Sequence, residues 1–88
     1  MKLIIAIIRD SDNETVSRAL TSADFRVTCV ASTGGFLRRG QSTLLIGLED
    51  DQVDRALEII RNSCAIPTEP NVKRATIFVL QVDKYTHL

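Results

Sequence analysis

Every glycine of this 88-residue chain falls between positions 34 and 47, and three of them lie in the segment Thr33-Gly34-Gly35-Phe36-Leu37-Arg38-Arg39-Gly40-Gln41-Ser42-Thr43. Glycine is needed where the backbone takes a positive φ or approaches another group closely. Successive N–H groups of a glycine turn can form an anion-binding concavity. Arg26, Arg38 and Arg39 can add charge-assisted hydrogen bonds to phosphate, and Phe36 and Leu37 can offer an apolar surface to a purine. The chemistry is recognition of an anion or nucleotide. The plainer alternative is a tight hairpin with its arginines in water and Phe36 plugging a subunit contact, since Gly-Gly between strands is an ordinary hairpin signal.

Catalytic chemistry has no comparable signal. His87 is the only histidine and reads as a solvated terminal residue. No nucleophile–base pair is suggested, so no catalytic residues are expected. Glu49-Asp50-Asp51 reads as negative charge at a helix N-terminus rather than a metal site. Cys29 and Cys64 have neither CxxC nor zinc-ligand spacing and make no disulfide framework. Cys29 alternates with apolar neighbours and reads as a small core residue. A formal net charge of zero and a basic run of only Arg38-Arg39 argue against nucleic-acid binding. Lys73-Arg74 reads as the charged entrance of a strand, the alternative being a place near a neighbour's ligand.

The elements that would position the loop follow from patterning. Residues 2–8 are β-branched and apolar and predict a buried strand. Ser11-Asp12-Asn13-Glu14 fits a capping box with Ser11 as N-cap, and Val16, Ala19, Leu20 and Ala23 continue it as one apolar helical stripe. Residues 25–33 alternate, with Phe25, Val27, Cys29 and Ala31 on one face, Arg26, Thr28 and Ser32 on the other, and Val30 as the exception. Residues 42–49 predict a third strand, Val53, Ala56, Leu57 and Ile60 a second helix, and 74–82 a last strand. Residues 64–73, with Pro67 and Pro70, read as a loop. Val16-Ser17-Arg18-Ala19-Leu20 is echoed by Val53-Asp54-Arg55-Ala56-Leu57. The order βαβ-βαβ predicts an α+β fold: a ferredoxin-like βαββαβ sandwich with a four-stranded antiparallel sheet and both helices on one face.

Length allows a single domain, residues 1–88, and a fold this small buries only about 60% of the surface of its unfolded chain. Hydrophobic residues make up 44% and charged residues 25%, as in ordinary globular domains. The longest apolar run, Leu3 to Ile8, is far short of the roughly 18 residues of a membrane span and lacks the marks of a signal peptide. No membrane span and a cytoplasmic location are expected. Both faces of the first, third and fourth strands are apolar, and two short helices cannot cover both. The second face is therefore expected to pack against other copies in a closed assembly. The second strand, at a sheet edge, would then project Arg26, Thr28 and Ser32 beside the glycine loop, in a groove between subunits.

The opening KLIIAIIRDSD, the stretch FRVTCVASTGGFLRRGQSTLLIGLED and the closing ATIFVLQVDKY resemble the PII-like cyclic di-AMP receptor proteins of Gram-positive bacteria. The specific part is F-R-V-T, then T-G-G-F-L, then the I-G-x-E-D strand end. The resemblance implies a PII-like homotrimer of ferredoxin-like subunits. It implies a signal-transduction protein without catalysis, without metal or cofactor, binding cyclic di-AMP in clefts between neighbours and signalling to a protein partner yet to be identified. Carried over by position, Arg26 and Thr28 would meet phosphate and base. Gly34 belongs to the glycine turn, and Gly35, Phe36 and Leu37 would wrap the ligand. Gly47 would let the backbone approach the adenine edge. Gln41 stands where the family usually has Asn, keeping the amide one methylene further out.

Residues 64–73 replace a long, glycine-rich loop of that family with a short segment carrying two prolines. The alternative reading is therefore a PII-like regulatory adaptor that has lost or changed its nucleotide and acts through protein contacts. A sensor of another small molecule on the same fold is a third.

Overall fold

The Leu3–Ile8 run folds as the central part of strand β1 (Lys2–Arg9) in the computed structural model, which describes residues 1–32, 40–66, 73–86 and 88. The chain continues through helix α1 (Asn13–Ser22), strands β2 (Arg26–Ser32) and β3 (Gln41–Leu48), helix α2 (Val53–Ser63) and strand β4 (Ala75–Gln81). β1 pairs antiparallel with β3 and β4, and β2 pairs antiparallel with β3, giving the order β2-β3-β1-β4. This is the ferredoxin-like sheet expected from the element order, with β2 and β4 at its edges.

Period-two alternation decides what each strand buries. Ile4, Ala6 and Ile8 of β1 and Leu44, Ile46 and Leu48 of β3 point into the helical layer and are buried. The helices meet them with Val16 and Leu20 of α1 and Ala56 and Ile60 of α2, all buried. Phe25 and Cys64 complete this core. Among the described residues, the other sheet face has no second layer.

The end of α1 aims the edge strand. Phe25 N–H donates to the Leu20 carbonyl at 3.0 Å and Asp24 N–H to the Thr21 carbonyl at 3.0 Å. This is the Schellman pairing, with Asp24 in the left-handed region at φ 69°. Asp tolerates that conformation better than bulkier residues do. Phe25 is thereby turned into the core, where the Arg55 guanidinium lies 5.5 Å from its ring centroid, and Arg26 begins β2.

Three expectations are corrected. The capping box at Ser11 does not form: Asp10–Asp12 make a 3-10 turn, α1 starts at Asn13, and no side chain caps it. Asp12, buried, instead pairs with Arg9 at 3.0 Å and accepts from Ala65 N–H at 3.3 Å. Arg9 also donates to the Ala65 carbonyl, so the exit of α2 is clamped to the β1–α1 connection. Cys29 is exposed rather than core: it sits on the edge strand, with Asn13 Nδ2 at the start of α1 3.6 Å from the sulfur. The alternation of the second strand also stops at Val30. A register shift there leaves Val30 53% exposed and pairs Ala31 with Thr43 and Ser32 with Ser42.

Candidate ligand-binding site

The uncovered sheet face is crossed by rows of directly opposed residues, which share a face. Arg26 stands opposite Gly47, Gly47 opposite Leu3, and Leu3 opposite Leu80. The next row is Thr28, Leu45, Ile5 and Phe78, and the next contains Thr43, Ile7 and Thr76. Phe78 is 51% exposed and Leu80 45%, while Leu3, Ile5, Ile7 and Leu45 are half-buried.

The first two rows run into a groove of about 590 Å³ at the β2 end, lined by Arg26, Thr28, Leu45 and Gly47 together with Leu3, Lys2, Val82 and Tyr85. Its lining is mostly apolar with a few polar groups, the usual make-up of a small-molecule site. Arg26 and Thr28 are exposed, and among the described residues no ion pair or hydrogen bond occupies Arg26. A Cβ on Gly47 would lie 3.2 Å from the Met1 methyl, so the bare backbone keeps this floor open.

Gln41 is elsewhere. It opens β3 opposite Arg9, on the same face as Gly47 but about 20 Å away at about 3.4 Å per residue. Its position is fixed by its neighbours: Asp10 N–H donates to the Gly40 carbonyl at 2.9 Å, and the buried Ser42 hydroxyl donates to Asp10 Oδ1 at 2.6 Å. A second recess of about 290 Å³ lies here, lined by Arg9, Gln41, Lys73, Arg74 and Thr76 with Ile7, Ile8 and Ala75.

Gly34, Gly35, Phe36 and Leu37 lie outside the described residues, as do Thr33, Arg38, Arg39, Pro67, Pro70 and His87. The points where the chain leaves and re-enters around 33–39 are described. Ser32 and Gly40 are both at the Gln41 end. Arg26 stands at the end of β2 away from Ser32, about 20 Å from it. Of the expected contact residues, the fold brings Arg26, Thr28 and Gly47 together and sets Gln41 at the opposite end.

The groove residues missed from sequence are Met1, Lys2, Leu3, Leu45, Val82 and Tyr85. Leu3 was legible in principle, since β1–β3 pairing must bring one of its residues beside Gly47. Tyr85 follows β4 and carries no local signal. Among the described residues, no group of three or more His, Cys, Asp or Glu could hold a metal ion, and no helix is long and apolar enough to cross a membrane.

The family model described as cyclic-di-AMP receptor matches residues 1–69, which includes β1 through α2 and all the expected contact positions. A solved structure, that of a functionally unknown protein from Pediococcus pentosaceus ATCC 25745, is similar over 99% of this chain and 96% of that one, with a TM-score of 0.81 and 35% sequence identity.

Proposed function

This chain belongs to the cyclic-di-AMP receptor family, and from that premise we propose that it is a non-catalytic signal-transduction protein that binds cyclic di-AMP in clefts between the copies of a homotrimer. The observation that carries the reading is the split of its contact residues. Arg26, Thr28 and Gly47 line one corner of the open face, and Gln41 and the stems of the glycine segment stand at the other. Both ends belong to one hydrogen-bonded sheet, so one chain cannot fold them around a ligand. Two copies can, and the uncovered rows of Leu3, Ile5, Phe78 and Leu80 supply an apolar surface for the second copy.

In this reading Arg26 takes a phosphate and Thr28 a phosphate or base edge. Gly47 admits the adenine to the backbone, and Gly34, Gly35, Phe36 and Leu37 wrap the ligand from the neighbouring end beside Gln41. No cofactor or metal takes part, and the protein works in the cytoplasm. Calorimetry with cyclic di-AMP tests it. Saturable binding should appear for the wild type and weaken about tenfold or more in Arg26→Ala, the scale of one charge-assisted hydrogen bond, with an unchanged melting temperature. No heat and no thermal shift at high micromolar ligand would refute the ligand. A protein partner captured without nucleotide would then favour the adaptor reading.

A further inference from the structure

A cyclic dinucleotide carries two phosphodiester charges, and in the groove beside Arg26 the other described cations are committed, Lys2 Nζ to Gln81 Oε1 at 2.6 Å and the Met1 N-terminus to Asp50 at 3.1 Å. A phosphate taken out of water without a charged or hydrogen-bonding partner is strongly disfavoured. The fold concentrates further cations at the Gln41 end. Arg9, Lys73 and Arg74 line the second recess together with the Gln41 amide and the Thr76 hydroxyl. Strand pairing holds this group in place: β1 sets Arg9 opposite Gln41 and Ile7 opposite Thr76.

The three cations differ in what they have to give. Arg9 is committed to Asp12 and to the Ala65 carbonyl. Arg74 makes one long bond, from Nη1 to the Arg61 carbonyl at 3.4 Å. Lys73 is exposed and makes no ion pair or hydrogen bond among the described residues. Of the nearby carboxylates, Asp12 is paired with Arg9, whereas Asp10 accepts the neutral Ser42 hydroxyl and keeps its charge. Lys73 and Arg74 are thus a pair of cations with donors to spare, beside the Gln41 amide and the Thr76 hydroxyl in one recess; Arg74 also reaches the α2 side, where it and Lys73 line a groove of about 580 Å³ with Arg61 and Cys64.

We propose that Lys73 and Arg74, with Gln41 and Thr76, form a second phosphate-binding subsite, so that a cyclic dinucleotide held between two copies meets Arg26 of one and the Lys73–Arg74 pair of the other. The inference rests on the cyclic di-AMP reading of the cleft. It assigns the charge of the second phosphate to the residues that open β4, just after the short proline-bearing segment.

The test is calorimetry with cyclic di-AMP on the wild type, Lys73→Ala, Arg74→Ala, the double variant and the charge-conserving Arg74→Lys, each checked by thermal melting. Lys73→Ala is the variant safe for the fold, because the side chain is exposed. The double variant should lose affinity about tenfold to a hundredfold, the range of one or two charge-assisted hydrogen bonds. Arg74→Lys should retain most of it. Raising salt should weaken the wild type more than the double variant, since exposed charges are screened. If the wild type binds and the double variant binds equally well at both salt concentrations, the subsite is overturned and the cleft reading stands. If the wild type binds no cyclic di-AMP, the cleft reading falls and the subsite with it.

Discussion

Placing carboxylates on the open sheet face, as in the double variant Phe78→Asp, Leu80→Glu, should dissolve the assembly and leave the single chain folded. Phe78 is 51% and Leu80 45% exposed in the isolated chain. An aromatic side chain can bury about 150–250 Å², so about 100 Å² of Phe78 awaits cover, worth about 2.5 kcal/mol at about 25 cal/mol per Å². Full burial of a leucine is worth about 1.5–3 kcal/mol, so the uncovered share of Leu80 is worth about 1 kcal/mol. Each copy therefore gains about 3.5 kcal/mol from these two side chains alone, before Leu3, Ile5 and Leu45 in the same rows are counted. Reversing that gain and burying an unpaired carboxylate, at several kcal/mol per ion, exceeds the roughly 8 kcal/mol of a micromolar association. The fold should survive because Ile4, Ile8, Leu44 and Ile46 lie on the other face and are fully buried there. Light scattering after gel filtration reads the mass, and circular dichroism reads the fold. A wild type with the mass of a single chain, or a variant with the wild-type mass of an oligomer, would refute the reasoning.

Other outcomes follow from single positions. Gly47→Ala should change stability by no more than about 0.5 kcal/mol, because its Cβ meets only the mobile end of Met1 at 3.2 Å. It should still weaken cyclic di-AMP binding, and an unchanged affinity by calorimetry would remove Gly47 from the site. Asp24→Gly should stabilise by about 0.5–1 kcal/mol, since a side chain at φ 69° is relieved without loss of either closing hydrogen bond; a lower melting temperature would contradict this. Burial first, and the Asp12 charge second, push the Cys64 thiol above its ordinary pKa, with Arg9 and Arg74 pulling it back. The folded state thus favours the protonated thiol. That contribution is whole below the ordinary thiol value and lost as pH rises through the folded value, so alkaline unfolding should come at higher pH in Cys64→Ala. A thiol reagent at neutral pH should modify exposed Cys29 quickly and buried Cys64 slowly. Equal rates would overturn the assignment.

The fold was legible because it is written in two periodicities. The apolar, β-branched runs in KLIIAIIR and STLLIGLE mark the strands, the 3.6-residue stripes mark the buried faces of the helices, and βαβ handedness leaves few ways to connect them. The misreadings arose where tertiary contacts outweighed local signals. Ser11 and Glu14 form a good capping pattern, but Asp12 finds Arg9 and the Ala65 N–H across the chain, and a 3-10 turn results. Cys29 has apolar neighbours in sequence, yet an edge strand gives it cover on one side only. The bulge at Val30 was visible only as one misplaced valine. The candidate site was half legible: F-R-V-T and I-G-L-E-D announce Arg26, Thr28 and Gly47, and antiparallel pairing of β2 with β3 brings them together. Lys73 and Arg74 carry no motif, and they become significant only when β4 sets them beside Gln41.

That juxtaposition bears on why the proposed cleft calls for a second copy. The Arg26 corner and the Gln41 corner are fixed by the same β3 strand, at its two ends. Bending the strand to join them would break the ladder that also holds β1, whose Ile4, Ala6 and Ile8 are fully buried. The separation of about 20 Å is therefore a rigid property of the chain, and in the cleft we propose a second chain closes it. Ligand affinity and assembly then become a single linked equilibrium: a nucleotide that bridges two corners stabilises the interface between them, and the interface sets how much ligand each chain can hold. Charge on the open face and loss of charge at Lys73 and Arg74 act on this equilibrium from opposite sides. The first should lower both mass and affinity, whereas the second should lower affinity while the unliganded assembly keeps its mass.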